Sequence, residues 1–314
     1  MADSTMPPTI RRCVSMNNPV TPTPLVAPLL LDRYRPQSLI ARGGSARVYL
    51  GKDTTLGRDV AIKVFNAGVD LDGYREEIEL LARLSHHGVV SIVDAGIDDS
   101  SANDPRPFLV MELIRGRTLR AALAQHPLSS RQVSEMAFEV AEALDYVHAQ
   151  GVVHRDVTPA NIMLTDYGTP LSRPRARLTD FGIAVTSERA MGPTGLIEGT
   201  TAYLSPEQAR NEPLTSATDI YSLGLVMLES FTGERSFATV GRNGAAVRVE
   251  GEPVIPKQIG RSWRALLRDM TRQEPFERPT ALEAANAIRA ALRQSTRSTG
   301  PIRLRSTQGL RPNH

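Results

Sequence analysis

The sequence has almost none of the features that mark secreted or membrane-spanning proteins. It contains one cysteine in 314 residues, Cys13, which excludes an intramolecular disulfide and favours a reducing compartment. No run of about 20 apolar residues is present. The apolar patch at residues 25–31 contains proline and is closely followed by Arg33 and Arg35. We therefore expect a soluble, cytoplasmic protein without integral membrane contact.

Aromatic residues are also few, at 5% of the chain, but hydrophobic residues make up 41% and charged residues 23%. These proportions are typical of a globular protein and exclude disorder over the whole chain. The two ends differ from the middle: residues 1–32 are rich in Pro, Thr and Met, and residues 295–314 carry arginine but no acidic residue. We predict a disordered leader and a basic disordered tail, the latter without a specific nucleic-acid partner.

The first half of the remaining sequence favours β-strands. Short β-branched runs alternate with glycine-bearing turns over residues 39–64, as in an antiparallel meander. Apolar residues at helical spacing over 74–84 predict one helix. Residues 89–93 and 108–111 predict two further strands around a polar insert at 98–107.

The second half favours helices. One helix begins with the capping-box spacing of Ser129 and Gln132, and others are predicted at 219–232 and 280–292. We therefore predict an α+β fold, in which a small β-rich lobe is joined to a larger helical lobe through residues 112–118.

One short stretch carries the side chains of phosphoryl-transfer chemistry. A His-Arg-Asp triplet ends at Asp156, Asn161 follows, and an Asp-Phe-Gly triplet begins at Asp180. Asp156 is the predicted catalytic base, which accepts the proton of a substrate hydroxyl. Asn161 and Asp180 are predicted to hold Mg²⁺, with Mn²⁺ as the alternative ion, against the phosphates of ATP.

Lys63 ends a predicted Val-Ala-Ile-Lys strand, and Glu77 lies on the helix that follows. Such a pair holds the lysine ammonium against the α- and β-phosphates of ATP during transfer. Glu77 is favoured as the partner because its helical phase turns it toward the predicted cleft. Glu76 and Glu79 are competing partners.

The turn before this strand corresponds to a phosphate-covering loop with few glycines. Residues 41–48 occupy the place of G-x-G-x-x-G-x-V, but Ala41 and Ala46 replace two glycines and only Gly43 remains. Each alanine adds a Cβ, so the turn is expected to be stiffer or farther from the nucleotide. Alone it would be an ordinary hairpin, and its position before the lysine strand is what indicates phosphate binding.

With these motifs in this order, the chain resembles the eukaryotic-like (Hanks-type) Ser/Thr protein kinases of bacteria over about residues 34–292. Residues 199–209, 219–224 and 275–279 are similar to the substrate-binding loop with its Ser-Pro-Glu end, the start of the central helix, and the segment that carries a pairing arginine. The resemblance implies the bilobal protein kinase fold. The boundaries it implies are 33–294 for the kinase domain, 33–112 for the N-lobe, 112–118 for the hinge and 119–294 for the C-lobe.

The resemblance also implies roles for residues around the nucleotide and the substrate. Met111 is the implied gatekeeper, and the backbones of Glu112 and Ile114 bond the adenine. The other implied nucleotide-binding residues are Ala41, Gly43, Val48, Ala61, Lys63, Glu77, Met163 and Asp180. Thr200 is implied to bond the catalytic aspartate, which favours Ser/Thr over tyrosine as the acceptor.

Three further expectations concern structure. Arg278 is implied to pair with Glu207. Leu81, His154 and Phe181 are implied to form a regulatory stack. An insert at residues 166–177, which carries Arg173, Arg175 and Arg177, is expected to be a solvated surface hairpin.

Two positions in the catalytic loop bear on rate and regulation. Thr158 stands where such kinases usually carry a lysine, and losing one charged donor from a preorganised site costs around 3 kcal/mol, or about a hundredfold in rate. Arg155 directly precedes the base, from where it is predicted to pair with a phosphate on the activation segment. Thr194 is the favoured phosphorylation site because it lies six residues before Thr200, and the lesser candidates are Thr186, Ser187 and Thr201.

The sequence therefore predicts an ATP-dependent Ser/Thr protein kinase that acts on protein substrates. We also predict that it autophosphorylates through a transient homodimer. A nucleotide-binding pseudokinase is the first alternative, motivated by Thr158, Ala41 and Ala46. A small-molecule phosphotransferase is the second, and it is disfavoured because such enzymes do not need the segment at 199–207.

Overall fold

The smaller lobe is a five-stranded antiparallel sheet with one helix. The computed structural model describes residues 29–66, 71–100, 105–165, 173–181, 201–237, 239–242, 245–248 and 251–297. Along the sheet the strand order is β1-β2-β3-β5-β4. The elements of the smaller lobe are β1 (Tyr34–Arg42), β2 (Ala46–Asp53), β3 (Arg58–Phe65), α1 (Leu71–Ala82), β4 (Ile92–Asp98) and β5 (Arg106–Glu112). The predicted β-rich lobe is confirmed.

Strand β4 begins later and runs further than residues 89–93, where a strand was expected. Val89 makes only an isolated bridge, because a turn in which its N–H donates to the carbonyl of His86 at 3.0 Å redirects the chain first. At the other end Asp98 pairs with Arg106, so the strand continues into the predicted polar insert. The partner strand β5 extends that far and supplies hydrogen bonds for it.

The folded chain begins before residue 33, so the predicted leader is too long at its carboxyl end. Leu30 is buried and forms a bridge with Tyr34, in a cluster that also contains Ile62 and Phe108. Arg33 donates two hydrogen bonds of 2.9 and 2.8 Å to the carboxylate of Asp53. Burial of an apolar side chain and a bidentate ion pair thus fix a segment whose sequence has no strand or helix pattern.

The larger lobe is built from helices with two small sheets beside them, as predicted. The sheet next to the hinge has the order β6-β7-β8. The elements of this lobe are β6 (Gly116–Thr118), α2 (Leu119–Leu123), α3 (Ser130–Ala149), β7 (Ile162–Thr165), β8 (Arg175–Leu178), α4 (Pro206–Ala209), α5 (Ser216–Thr232), β9 (Thr239–Arg242), β10 (Ala245–Arg248), α6 (Arg261–Met270) and α7 (Ala281–Arg297). A Cβ on Gly116 would lie 2.2 Å from the carbonyl oxygen of Leu164, so only glycine lets β6 approach β7 this closely.

The helix signals in the sequence are largely confirmed. Ser129 and Gln132 form the predicted capping box at the start of α3, and Gly233 ends α5 in the left-handed conformation with φ 79°. Helix α7 continues to Arg297, so the boundary expected at residue 294 is three residues too early. Of the helices in the described ranges, none is long and apolar enough to cross a membrane.

The insert at residues 166–177 connects β7 to β8, which pair as an antiparallel hairpin, but its described arginines are held in ion pairs. Arg173 lies 3.0 Å from Glu135, and Arg175 lies 2.7 Å from Glu139 on α3. The carboxylate of Glu139 also accepts the backbone N–H of Ala176 at 2.7 Å. A buried carboxylate needs charged or polar partners, and this hairpin supplies them.

Candidate active site

A buried carboxylate at the start of α5 shapes the predicted catalytic loop. Asp219 accepts the backbone N–H groups of His154 and Arg155, each at 2.8 Å, and its Oδ2 lies 2.8 Å from the His148 ring. Arg155 has φ 67°, a conformation that costs a non-glycine residue roughly 1–3 kcal/mol. The two hydrogen bonds to Asp219 hold the loop in this shape, so Asp219 is a positioning residue that the motif reading missed.

Asp156 and Asn161 are brought together as predicted. The Asn161 amide donates to Asp156 Oδ2 at 2.7 Å and to the Asp156 carbonyl at 2.9 Å. Burial raises the pKa of Asp156, although His154, Asn161 and Lys63 act in the opposite direction. A carboxylate with a raised pKa is a stronger proton acceptor than an exposed aspartate, which suits a catalytic base.

Asp180 stands beside this pair in a left-handed conformation, with φ 57°. Its carboxylate accepts Lys63 Nζ at 2.9 Å. Burial alone would raise the pKa of Asp180, but the Lys63 ammonium holds it below its ordinary value. The neighbouring Phe181 ring lies 4.5 Å from the His154 ring, so these two members of the implied stack are in contact, and Leu81 lines the same cavity as Phe181.

The predicted ion pair between Lys63 and Glu77 is not formed in this structure. Among the described residues, Lys63 makes its ion pair with Asp180, and Glu77 Oε1 lies 4.0 Å from Arg155 Nη1. The helical phase was correct, since Glu77 is only partly exposed and faces the cleft. What the phase could not predict is the position of α1, which brings Glu77 to the catalytic loop instead of to β3.

Glu207 and Arg278 form the implied ion pair at the base of this lobe. Arg278 donates to the two carboxylate oxygens at 2.6 and 2.8 Å, and Thr218 donates to Glu207 at 2.9 Å. Both charged side chains are at most 2% exposed. Next to Glu207, the Gln208 amide donates to the Arg155 carbonyl at 2.8 Å, which connects α4 to the catalytic loop.

Comparison with known protein families identifies the family to which the chain belongs. The family model described as protein kinase domain matches residues 34–288. The chain belongs to the protein kinase family. The curated relatives include the serine/threonine-protein kinase PknA of Mycobacterium tuberculosis, 36% identical over 293 residues, and PknB of Mycobacterium leprae, 36% identical over 242 residues. The predicted likeness to bacterial Ser/Thr protein kinases is thereby confirmed.

The extent of these matches differs between relatives. The PknA match covers 89% of this chain and 66% of PknA, and the PknB match covers 74% of this chain and 38% of PknB, so the chain spans less than two thirds of their lengths. A solved structure, a mutant of the Mycobacterium tuberculosis PknI kinase domain, aligns with a TM-score of 0.62 at 23% identity. The alignment covers 82% of this chain and 95% of that one, and it confirms the bilobal protein kinase fold.

Protein kinases use ATP together with a divalent cation, and the residues at this site fit such a cation. In the described part of the chain, the Asn161 amide oxygen and Asp180 Oδ2 accept no hydrogen bond, because the contacts of these residues use Nδ2 and Oδ1. Carboxylate and amide oxygens are the ligands that hard divalent cations prefer. Asn161 and Asp180 are thus the residues of this chain that would hold such an ion.

The side chains implied to surround the nucleotide lie on strands of the two lobes. Val48 pairs with Lys63 across β2 and β3, and Ala61 pairs with Met111 across β3 and β5. Met163 is on β7 in the larger lobe. Met111 is buried and lines a cavity of about 20 Å³ that also contacts Lys63 and Phe181. The strand positions agree with the implied pocket, and nucleotide binding by these residues is a prediction.

The turn that is predicted to cover the phosphates is a tight hairpin between β1 and β2. Gly43 donates its N–H to the Ala46 carbonyl at 2.8 Å, and Ala41 pairs with Val48. Asn66 closes the turn from the end of β3 by donating to the Gly44 carbonyl at 2.5 Å. The turn is thus tied to its own strands, in keeping with the stiffness expected from the two alanines.

The hinge has a side-chain contact that sequence reasoning missed. The Glu112 carboxylate accepts the Ser91 N–H at 2.8 Å and two hydrogen bonds from Arg177, one of them 2.9 Å long. Arg177 also donates to the Val89 carbonyl at 2.7 Å. Burial would raise the pKa of Glu112, but Arg177 and the Ser91 N–H lower it. An arginine that was expected to be solvated therefore joins the hinge to the strand that precedes Asp180.

The remaining predicted site residues have different outcomes. Thr158 is buried in the catalytic loop, and its carbonyl accepts the Asn161 N–H at 3.0 Å. Ile114 packs against the core beside the hinge. Thr200 and Thr194 lie outside the described residues, so their implied roles stay predictions.

Proposed function

We propose that this chain is an active Ser/Thr protein kinase that transfers the γ-phosphate of ATP to hydroxyls of protein substrates, with Mg²⁺ as the ion and Mn²⁺ as the alternative. The observation that carries the proposal is the hydrogen-bonded pair of Asp156 and Asn161 beside Asp180. All the groups whose loss would indicate a pseudokinase are present, including Lys63. The single cysteine supports placing the enzyme in a reducing cytoplasm.

The proposed mechanism assigns one task to each side chain. Asp156 orients the acceptor hydroxyl and takes its proton as the oxygen attacks the γ-phosphorus. Asn161 holds Asp156 in place through its amide and presents its oxygen to the cation. The bound cation neutralises charge on the phosphate oxygens. Lys63 offers its ammonium to the α- and β-phosphates, and Thr158 offers a hydroxyl where a lysine would add a charge.

Transfer of labelled γ-phosphate to the protein itself and to a basic test protein is the direct experiment. Asp156→Asn is expected to lower the transfer rate by roughly 10²–10⁴-fold, the usual contribution of a general base. Asp269→Asn, at an exposed carboxylate on α6, is the matched control. Intact ATP binding without transfer by the unmodified chain would overturn the proposal in favour of the pseudokinase alternative.

We further propose that phosphorylation of the activation segment at Thr194, through a transient homodimer, increases activity. Arg155 supports this proposal because it carries a charge beside the catalytic base, and its 4.0 Å separation from Glu77 is too long for a hydrogen bond. Thr194→Ala is expected to lower activity and to remove one phosphate in mass spectrometry after incubation with ATP. Unchanged activity with intact phosphorylation elsewhere in the segment would contradict it.

A further inference from the structure

Arg120 is a cation beside the catalytic loop for which the described part of the chain supplies no counter-charge. Its backbone N–H donates to the carbonyl of Pro159 at 2.7 Å, and Pro159 lies between Thr158 and Ala160. Among the residues that the structure describes, its guanidinium makes no hydrogen bond or ion pair, although its Nε is buried. Partial burial of a charge without a partner is unfavourable, and it is typical of a group that awaits a ligand.

Arg120 lies near enough to Tyr203 for its charge to act on the Tyr203 hydroxyl. The pKa of Tyr203 is raised by burial and by Glu229, and it is lowered by Arg235 and Arg120. Tyr203 belongs to a 3₁₀ turn, Thr201–Tyr203, which lies within the segment at residues 199–209 that is predicted to bind the substrate. Glu229 accepts the Tyr203 hydroxyl and lies 3.9 Å from Arg235, so its carboxylate has other partners.

The part of the catalytic loop to which Arg120 is bonded carries no carboxylate. Between Asp156 and Asn161 the residues are Val, Thr, Pro and Ala, none of which is charged. The hydrogen bond from the Arg120 backbone to Pro159 holds the start of α2 beside this loop. The planar guanidinium suits bidentate recognition of a carboxylate.

We propose that Arg120 is a specificity-determining residue that binds an acidic side chain flanking the acceptor Ser or Thr of the protein substrate. This inference rests on the proposed function. The alternative is that the apolar stem of Arg120 simply covers the surface of α2, with the charge irrelevant. Substitutions that keep most of the Arg120 stem but remove or reverse its charge distinguish these two explanations.

The test uses peptides with one threonine acceptor and Glu, Gln or Lys at each flanking position in turn. The unmodified chain is expected to prefer Glu at one or more positions. Arg120→Gln keeps most of the stem, and it is expected to lower kcat/KM for the Glu peptide by about tenfold, mainly through KM. Arg120→Lys should retain part of the preference, and Arg120→Glu should shift it toward Lys.

The matched control is Arg268→Glu on α6, which makes the same charge change on the exposed face of a helix that packs against α5 and α7. It is expected to leave the preference unchanged. The preference of the unmodified chain should also weaken with added salt, because salt screens exposed charges.

Two results would overturn the inference while leaving the proposed function intact. One is transfer by the unmodified chain with no preference between Glu and Gln at any position. The other is a Glu preference that Arg120→Gln and Arg120→Glu both retain. Absence of transfer to every peptide and to the basic test protein would instead overturn the proposed function, and this inference with it.

Discussion

The two halves of the active site differ in how their charges are paired. In the larger lobe, Asp219 and Glu207 are buried and each accepts several short hydrogen bonds from the groups they position. In the smaller lobe, Lys63 pairs across the cleft with Asp180, while Glu77 lies 4.0 Å from Arg155. The charged groups of the larger lobe are therefore paired within that lobe. Lys63 and Glu77 of the smaller lobe instead contact residues of the larger lobe.

This difference indicates that the two halves are assembled by different means. In the larger lobe, hydrogen bonds to the buried Asp219 carboxylate hold the catalytic loop, and the Gln208 amide beside Glu207 adds one more. The small-lobe pairs are more exposed than the pair of Glu207 and Arg278.

Breaking the ion pair between Glu207 and Arg278 should have the largest effect on stability. Arg278→Met is expected to lower the free energy of unfolding by about 3–5 kcal/mol, because it leaves the Glu207 carboxylate buried without its partner. Urea denaturation measures this change. The double variant Glu207→Leu with Arg278→Met should recover much of the loss, since it removes both charges. A single variant as stable as the unmodified chain would show that the pair does not hold the lobe.

Asp219→Asn tests whether the catalytic loop depends on its buried carboxylate. Asparagine has one acceptor oxygen, and its amide would face the second of the two backbone N–H donors. We expect kcat to fall by about a hundredfold through misplacement of Asp156, with little change in ATP affinity. Transfer kinetics and nucleotide titration measure the two quantities. Equal losses in both would argue for general unfolding instead.

Glu77→Gln probes the small-lobe half directly. If Lys63 must pair with Glu77 in the working enzyme, kcat/KM for ATP should fall by about tenfold, the value of one charged hydrogen bond. Glu76→Gln, at an exposed position on the same helix, is the control. Unchanged kinetics in Glu77→Gln would mean that the pairing of Lys63 with Asp180 is also the functional one.

The smallest expected effect is in the pH profile. Asp156 must be deprotonated to act as the base, and its pKa is raised by burial. Activity should therefore be lost on acidification at a higher pH than the ordinary pKa of an aspartate. The acid limb of kcat/KM against pH measures this. An acid limb whose midpoint lies at or below the ordinary pKa of an aspartate would contradict the raised pKa of Asp156.

Much of this site was predictable because its residues are ordered along the chain. Lys63, Asp156, Asn161 and Asp180 follow one another with family-like spacing, and spacing reports which groups the fold brings together. The pairing of Lys63 was not predictable. It depends on how α1 sits against the sheet, and a shift of that helix exchanges one carboxylate for another without any change in sequence pattern.

Asp219 shows a signal that sequence reasoning could have used. It lies in the first turn of a helix whose following residues are mostly apolar, and a carboxylate in such a helix is expected to be buried with partners. Arg177 carried no comparable signal, since arginines in a predicted loop are ordinarily solvated. Its contact with Glu112 arises from the register of β7 and β8, which only the folded structure supplies.

Leu30 has a practical consequence for protein engineering. A shortened chain that begins at residue 33, where the motifs suggest the kinase domain starts, would uncover the side of Tyr34 and Phe108 that Leu30 now seals. Such a chain would expose an apolar patch on the sheet and invite aggregation during purification. Trimming from the amino end should stop before Leu29.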